Sequence, residues 1–353
     1  MRGRPTAISS RRPRAGNSQE YALYETSELF RANPNSASRP PARNPFLRDL
    51  LDALGTRPRS ISPKYFYDAA GSALFDRICE LPEYYPTRTE HAILAAHAGE
   101  IAQAIGAEAN LIEFGAGSLS KIRFVLDACL AAEPPASYVP VDISAAYLRE
   151  SAAALRRHYP ALEVQPVAAD YLQPEAMREL ARVPDRRIGI FFGSTIGNFS
   201  NREADTFLGR TAALLAGGGL LIGVDLVKDT AVLERAYNDA AGVTAAFNLN
   251  LLARANAELG ADFDLDAWRH RAFYDSRLQR IEMHLVSLRA QTVKVGGQAF
   301  EFAEDETIHT ENSRKFTLDG FREMAERAGY VPRKVWTDEA QLFSLHWLES
   351  PAR

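Results

Sequence analysis

Small and acidic residues follow three segments of the chain that have the apolar character of β-strands. The glycines of Gly115-Ala116-Gly117 let the backbone turn tightly and approach a ligand closely. The Asp142 carboxylate is able to accept hydrogen bonds from both hydroxyls of a ribose. Asp170 is able to accept from an exocyclic adenine amine, and the neighbouring Tyr171 ring offers a stacking surface for the base. Together these residues predict an adenosine-containing ligand.

Each of these signals also has a structural explanation when it is taken alone. A Gly-x-Gly turn occurs where a strand runs directly into a helix. The third glycine of the dinucleotide fingerprint is absent, because Ser118 and Leu119 occupy that region, and this counts against a nicotinamide or flavin cofactor. Asp142 is a possible helix N-cap, although we expect Ser144 to supply that cap. The combination at successive strand ends is therefore the specific signal.

The elements that must position these residues alternate between strand and helix. Such alternation predicts an α/β fold, with a parallel sheet covered by helices on both faces. Ligands bind such sheets at the carboxyl ends of the strands, at a topological switch point. The predicted strands are 110–114, 137–141, 164–168, 187–192 and 220–226, with helices between them at 120–131, 145–158, 174–182 and 202–215.

Two further glycine-containing segments indicate which adenosine ligand is bound. The turn 216–219 feeds an apolar strand, as is typical of the sheets that hold S-adenosylmethionine. Lys121 is close enough to the glycine loop to reach the carboxylate of that ligand, and Glu113 is placed to orient the loop. Gly193 and Asn198 follow the fourth strand, where we favour a contact with the substrate. For Asn198 the alternative is an Asx turn or a helix cap.

Composition narrows the class of protein. The chain has 353 residues and a net charge of −4, whereas a chain devoted to nucleic-acid binding is usually strongly basic. No apolar run approaches the ~18 residues that span a bilayer. Cys79 and Cys129 cannot build a disulfide framework, and no CxxC or HxxxH spacing predicts a metal site. A cytoplasmic protein is therefore expected.

The first 44 residues differ from the rest. They contain eight Arg, three Glu and five Pro, with few large apolar side chains. Such a segment buries too little surface to offset its ordering entropy, so 1–44 is predicted to be a disordered basic tail. An organelle transit peptide is the alternative, because residues 1–19 carry no acidic side chain.

Six segments of the sequence are far more specific signals than the glycine loop. They are Lys64-Tyr-Phe-Tyr-Asp68, Leu81-Pro-Glu-Tyr-Tyr-Pro-Thr-Arg-Thr-Glu90, Phe192-Gly-Ser-Thr-Ile-Gly-Asn198, Asp225-Leu-Val-Lys-Asp229, Ala236-Tyr-Asn-Asp-Ala-Ala-Gly-Val-Thr-Ala-Ala-Phe-Asn248 and Ala261-Asp-Phe-Asp264. Together they resemble the S-adenosylmethionine-dependent L-histidine Nα-methyltransferases of ergothioneine biosynthesis. The resemblance covers about residue 45 to the C-terminus. It implies a Rossmann-like class I methyltransferase sheet at 88–228, and a second α+β substrate domain built from 45–87 and 229–353.

The resemblance also implies roles for individual side chains. Glu311 and Ser313 match the pair that grips the imidazole ring, with Met283 as an apolar wall of the ring pocket. The expected substrate-binding set is completed by Tyr84, Gly193, Asn198 and Tyr237, of which Asn198 and Tyr237 fix the carboxylate and amine of the amino acid. The expected cofactor contacts are Gly115, Lys121, Asp142, Asp170 and Tyr171.

The implied reaction moves methyl groups from S-adenosylmethionine to the α-amine of L-histidine, in three successive transfers that give trimethylhistidine, called hercynine. The sulfonium is already a good leaving group, so the protein mainly supplies proximity and alignment, without a metal ion or a covalent nucleophile. Tyr67 and Asn198 are the expected catalytic residues. Tyr67 or water would receive the proton that leaves the amine.

Two other functions stay open. The methyl acceptor could be another amino acid or a protein side chain, although an indole has no use for Glu311, and a buried unpaired carboxylate is costly. A non-catalytic adenosine-binding module would need only the glycine loop, Asp142 and Asp170. The expected protein is a monomer that binds L-histidine, and neither nucleic acid nor a membrane.

Overall fold

The computed structural model describes residues 44–352, so the predicted tail lies almost wholly outside the described part of the chain. Within that part, the largest sheet has the strand order β13-β14-β7-β6-β2-β3-β4, and β5 also pairs with β3. Its strands are β2 (Asn110–Phe114), β3 (Ser137–Asp142), β4 (Glu163–Val164), β5 (Val167–Ala168), β6 (Arg187–Phe191), β7 (Gly219–Asp225), β13 (Val331–Thr337) and β14 (Phe343–Glu349).

The strands from β2 to β7 are parallel, and the chain reverses its direction of travel across the sheet between β2 and β6. That switch point opens a crevice at the carboxyl ends of the two strands. The prediction of a Rossmann-like α/β fold is confirmed. The predicted strand 164–168 divides into β4 and β5 because it contains Pro166, which has no N–H to donate to a ladder.

Helices cover both faces of this sheet. One apolar cluster joins α3, α4 and α5 to the first face, and a second cluster joins α6, α7 and α10 to the other. All four predicted helices lie between the strands, with boundaries that shift by two residues or fewer. The bounds are α3 (Tyr85–Ile105), α4 (Ile122–Ala132), α5 (Ala145–His158), α6 (Pro174–Leu180), α7 (Asn201–Leu214) and α10 (Leu318–Arg327).

A second sheet has the order β1-β12-β9-β8 and packs on its own apolar core. Strands β8, β9 and β12 are antiparallel, and a β-bulge interrupts β12 between His309 and Glu311. The elements around this core are α1 (Pro45–Gly55), β1 (Arg59–Ser60), α2 (Ala69–Glu80), α8 (Thr230–Tyr237), α9 (Val243–Leu259), β8 (Trp268–Asp275), β9 (Arg280–Ser287) and β12 (Thr307–Arg314). A separate two-stranded sheet is formed by β10 (Gln291–Val295) and β11 (Gln298–Phe302).

The end of the chain departs from the predicted domain division. Strand β14 pairs antiparallel with β7, so the hairpin β13–β14 extends the large sheet, although 229–353 was expected in the second domain. The physical reason is the apolar edge of β7, which β14 covers with a strand that is buried from Phe343 to Leu348. We therefore propose that the second domain ends before α10. Among residues 44–352, no helix is long and apolar enough to cross a membrane.

Candidate active site

Two adjoining cavities lie at the switch point. The larger has a volume of about 400 Å³ and is lined by the loops after β2, β3, β5 and β6. The smaller, of about 50 Å³, lies against α8, β9 and β12. Both are lined by Tyr67, Phe75, Gly193, Thr195, Asn198 and Glu311.

The structure distributes the predicted site residues between these cavities. Those expected to hold the cofactor all line the larger one: Gly115, Lys121, Asp142, Asp170 and Tyr171. Those expected to bind the substrate all line the smaller one: Tyr84, Gly193, Asn198, Tyr237, Met283, Glu311 and Ser313. The expected catalytic residue Tyr67 lines it as well. Residues that were predicted from the sequence, and that lie up to 246 positions apart, from 67 to 313, thus line one cavity. Their roles stay predictions.

The glycine loop is held by Asp142. Gly115 and Gly117 have φ values of 68° and 53°, a region that favours glycine. The Asp142 Oδ2 atom accepts a hydrogen bond from the Gly117 N–H at 3.1 Å, and Oδ1 accepts from the Ser144 N–H at 2.9 Å. Ser144 occupies the N-cap position of α5, as expected, but its side chain makes no capping bond. Asp142 instead holds the turn that precedes α5, and it also lines the larger cavity.

Asp170 and Tyr171 form the next part of the wall. The Asp170 Oδ1 atom accepts from the Leu172 N–H at 3.0 Å, which fixes the carboxylate at the end of β5. The Tyr171 ring packs edge-on against Phe114 and Phe191, with centroids 6.0 and 5.8 Å apart. Its burial raises the pKa of the phenol, so Tyr171 is a neutral, firmly packed surface beside the glycine loop.

A buried carboxylate, Glu90, supports Lys121 of the larger cavity and Gly193, which lines both cavities. Lys121 Nζ lies 2.8 Å from Glu90 Oε2. The same carboxylate accepts the Gly193 N–H, at 2.9 Å to Oε1 and 3.0 Å to Oε2. Burial acts to lower the pKa of Lys121, but Glu90 more than offsets it and raises that pKa. Glu90 therefore keeps a cation in the larger cavity and also fixes the loop after β6.

Glu113 lies beneath the glycine loop and is buried. The hydroxyl of Tyr138 donates a hydrogen bond to its carboxylate. Burial raises the pKa of Glu113 to about 8, and the bond from Tyr138 only partly opposes this. The side chain is thus largely protonated at neutral pH and acts as a structural support of the loop.

Glu311 and Ser313 face the smaller cavity from β12. Their i, i+2 spacing places both on one face, and Glu311 is paired with Met283 across the ladder. Burial raises the pKa of Glu311 to about 7, against the opposing charge of Lys315. The carboxyl is therefore poised to exchange a proton near neutral pH.

Aromatic side chains close the smaller cavity. The Tyr84 and Tyr237 rings meet edge-on with centroids 6.1 Å apart, and Tyr67 packs edge-on against Phe247 at 5.9 Å. Burial raises the pKa of Tyr67 and of Tyr84 well above the ordinary value, and Glu311 adds to both shifts. These phenols are therefore neutral hydroxyl groups.

Asn198 ends a short 3-10 helix, Thr195–Asn198, that follows β6. The cap of the next helix, α7, is made by Ser200, whose hydroxyl and Glu203 form a capping box. The alternative in which Asn198 caps that helix is therefore excluded, and its amide lines both cavities.

A family model described as a histidine-specific, SAM-dependent methyltransferase matches residues 46–350. The chain belongs to this family.

Named relatives agree with that membership. The methyltransferase is 46% identical over 303 residues to histidine N-alpha-methyltransferase of Mycolicibacterium smegmatis, covering 84% of this chain and 92% of that protein. Ergothioneine biosynthesis protein 1 of Neurospora crassa is 34% identical over 236 residues, or 62% of this chain and 26% of that one. L-tryptophan methyltransferase trpM of Psilocybe serbica is 29% identical over 339 residues, covering 87% and 92%.

The methyltransferase also has a histidine-rich cluster on β9 and β12. Ligand-type atoms of Glu282, His284 and His309 lie within 4.8 Å of one another. The two imidazole rings stack, however, with centroids 4.8 Å apart and planes only 20° from parallel. Lone pairs of imidazole nitrogens lie in the ring plane, so two stacked rings cannot converge on one ion. We therefore assign no metal to this cluster.

Sequence reasoning missed the charged groups that support the site of the methyltransferase. Glu90 was quoted only as the end of a motif, and Asp225 only as the start of another. Lys315 was not singled out, although an ammonium buried to 0% exposure must have charged or polar partners. The available signal was the position of Lys315, two residues after Ser313 and directly after the end of β12.

Proposed function

We propose that this methyltransferase moves three methyl groups from S-adenosylmethionine to the α-amine of L-histidine, giving hercynine for ergothioneine biosynthesis. The observation that carries the proposal is the pair Glu311 and Ser313, side by side in a small cavity that opens on the larger one. A ring with an N–H and a second nitrogen matches a carboxylate beside a hydroxyl. The residues shared by both cavities then lie where the amine must meet the methyl group.

The residues of the larger cavity fit S-adenosylmethionine by their chemistry. Lys121 supplies a cation for the carboxylate of the methionine tail, and Asp142 offers acceptor atoms for the ribose hydroxyls. Gly115 leaves the backbone open at a φ of 68°, a conformation that residues with a side chain rarely adopt. When bound, the cofactor supplies a methyl group on a sulfonium, which is already activated for displacement.

The protein's part is to hold the histidine and to release protons from its amine. Asn198 and Tyr237 would hold the carboxylate and amine end, while Glu311 and Ser313 hold the ring. The Tyr67 phenol is neutral, so it is able to pass on an amine proton only by giving up its own at the same time. We therefore propose Tyr67 as a relay toward water and not as a resting base. The amine must stay free to rotate between transfers.

A second substrate is a specific alternative, because one relative is named as a tryptophan methyltransferase. The small cavity of this chain carries a carboxyl group, Glu311, that an indole cannot use fully. Met283 opposite it narrows the space further. These features favour histidine. We also propose that the enzyme acts as a monomer in the cytoplasm.

The test is methyl transfer by the purified chain, followed by mass spectrometry, with an equal concentration of histidine, tryptophan, phenylalanine or a histidine-containing peptide. We expect mono-, di- and trimethylhistidine in sequence and little modification of the other acceptors. Methylation of tryptophan or of the peptide at the rate of histidine would contradict the proposal. If the chain binds the cofactor but methylates no acceptor, the result would favour the alternative of a non-catalytic adenosine-binding module.

A further inference from the structure

The Lys315 ammonium is fully buried, and each of its N–H bonds has an acceptor. Nζ lies 2.7 Å from Asp225 Oδ2. It donates to Ser313 Oγ at 2.8 Å and to the Tyr237 hydroxyl at 3.1 Å. An ammonium has three donors and no acceptor, so this arrangement satisfies it completely. Both hydroxyl groups are consequently forced to accept from Lys315.

Ser313 receives a second hydrogen bond as well. The Tyr237 O–H donates to Ser313 Oγ at 2.7 Å. A serine hydroxyl has two acceptor positions and one hydrogen. With both acceptor positions occupied by Lys315 and Tyr237, the hydrogen of Ser313 is left for a group in the small cavity that it lines.

We infer that Lys315 is a positioning residue that makes Ser313 a hydrogen-bond donor, so that the site selects the neutral imidazole ring of histidine over the protonated ring. A neutral ring has one N–H for Glu311 and one bare nitrogen for the Ser313 hydroxyl. A protonated ring has two N–H groups, and the second would face the hydrogen of Ser313. The inference rests on the ring placement proposed above.

The charge of Lys315 acts in the same direction. If Tyr237 turns to bind the carboxylate of the substrate, Ser313 still accepts from Lys315. A protonated ring on the same hydroxyl would then place a second cation beside the buried ammonium. In a site of low polarity such repulsion is much stronger than in water.

Most other ionisable groups around Glu311 and Ser313 keep one charge state through the acid to neutral range; the exception is His309, whose Nε2 atom lies 3.0 Å from the Glu311 carbonyl oxygen and whose pKa is lowered by burial. Burial raises the pKa of Tyr67, Tyr84 and Tyr237, so these phenols stay neutral. Burial also acts to raise the pKa of Asp225, but Lys315 and Lys228 hold it below its ordinary value, so it stays ionised. Burial lowers the pKa of Lys228 to about 8, which leaves it charged in acid. The protons that move on binding are therefore those of Glu311 and the ligand ring, and any change at His309 is shared by the wild type and the variants compared below.

The experiment uses trimethylhistidine as the ligand, because it has no titratable amine. Titration calorimetry at about pH 6, in buffers of different ionisation enthalpy, gives the number of protons released. Before binding, the ring is mostly protonated, with a pKa of about 6.5, and so is Glu311, whose pKa is raised to about 7. If the complex holds the neutral ring against an ionised Glu311, the wild-type protein releases between about one and two protons.

Lys315→Met frees Ser313 to accept, so the complex is able to keep one proton between ring and carboxylate. Proton release should then fall by about one. Lys228→Met is the matched control: Lys228 pairs with the same Asp225 carboxylate but contacts neither Ser313 nor Tyr237 in any hydrogen bond of residues 44–352. It should leave proton release as in the wild type.

Wild-type release clearly below one proton would overturn the inference, even if Lys315→Met does not fold. An equal change in Lys315→Met and Lys228→Met would also overturn it, because the effect would then belong to Asp225. Glu311→Ala separates this result from the ring placement. If Glu311→Ala leaves trimethylhistidine affinity unchanged, the placement itself is wrong; if it weakens binding while the wild type releases no proton, only the role of Lys315 fails.

Discussion

Lys121 Nζ lies 2.8 Å from Glu90 Oε2, and this carboxylate has no exposed surface. Lys121 itself keeps 20% of its side chain accessible from the larger cavity, so the ammonium end of the pair is partly hydrated and the carboxylate end is not. A carboxylate that is buried this completely depends on its charged partner. Glu90 therefore ties the stability of the fold to the charge that we propose for cofactor binding.

We predict that Glu90→Gln lowers the free energy of unfolding by about 2 kcal/mol or more. That is below the ~3–5 kcal/mol typical of a broken fully buried pair, because Lys121 is partly hydrated and the amide still accepts from Gly193. S-adenosylhomocysteine should recover part of the loss, since its carboxylate gives Lys121 a new partner. Chemical denaturation with and without this ligand measures both effects. The control is Glu80→Gln on exposed surface, and equal destabilisation by the two changes would contradict the prediction.

Asp142→Ala should weaken S-adenosylmethionine binding about tenfold to a hundredfold, since hydrogen bonds to a charged group contribute about 1.5–3 kcal/mol. The loss has two sources: the ribose contact and the support of Gly117. Calorimetric titration measures the affinity. Asp229→Ala is the matched control, because Asp229 also accepts from two backbone N–H groups but lies outside both cavities. Cofactor affinity that stays unchanged in Asp142→Ala would place the ribose elsewhere.

The buried Glu113 predicts a pH dependence of stability. Its pKa is raised to about 8 in the fold, whereas an unfolded chain gives about 4.3. The folded protein therefore binds more protons between these values, and its stability falls as pH rises through them. Glu113→Gln keeps an acceptor for Tyr138 but has no proton to lose. Relative to wild type, the variant should gain stability between about pH 5 and pH 8.

Denaturant unfolding at a series of pH values measures how the free energy of unfolding of wild type and Glu113→Gln changes with pH. Glu133→Gln, which changes the same charge at an exposed position, is the control for net charge. A difference between wild type and Glu113→Gln that does not change with pH would show that Glu113 is ionised in the fold.

Deletion of residues 1–40 should leave folding and methyl transfer nearly intact. The family model begins at residue 46, and the tail has the Arg and Pro content of a segment without a core. Thermal unfolding and turnover of the truncated protein provide the measurement. A marked drop in either would mean that the tail contacts the enzyme.

The parts of the site that could be predicted are those encoded locally. The residues of the larger cavity could be predicted from glycines and acidic residues at strand ends, because the carboxyl ends of parallel strands meet at one edge of a sheet. The resemblance supplied Glu311 and Ser313, and their spacing alone placed them on one strand face. Neither depends on knowing which distant elements touch.

The supporting charges could not be predicted in this way. Glu90 and Gly193 are 103 positions apart, so no local pattern links them. The same holds for Asp225 and Lys315, which meet only because β12 packs beside the end of β7. Strand β14 has an apolar sequence, but sequence alone does not say that it pairs with β7. For that reason the sequence did not indicate that the last two strands extend the large sheet.

Substrate choice gives the last prediction. Glu311→Ala should lower histidine affinity about tenfold or more, because a hydrogen bond to a charged group contributes about 1.5–3 kcal/mol. It also removes a carboxyl that opposes an indole, so discrimination against tryptophan should relax. Met283 pairs with Glu311 across the ladder, and adding Met283→Val should widen the same wall and strengthen the effect.

Methyl transfer to histidine, tryptophan and phenylalanine can be compared by mass spectrometry for wild type and both variants. Glu282→Ala is the matched control, since Glu282 neighbours Met283 on β9 but points to the opposite face of the sheet, where it meets His284 and Arg280. Cofactor affinity should be unchanged in all variants, because the loops after β2, β3 and β5 are untouched. If Glu311→Ala keeps wild-type affinity and preference for histidine, the imidazole ring is not held between β9 and β12.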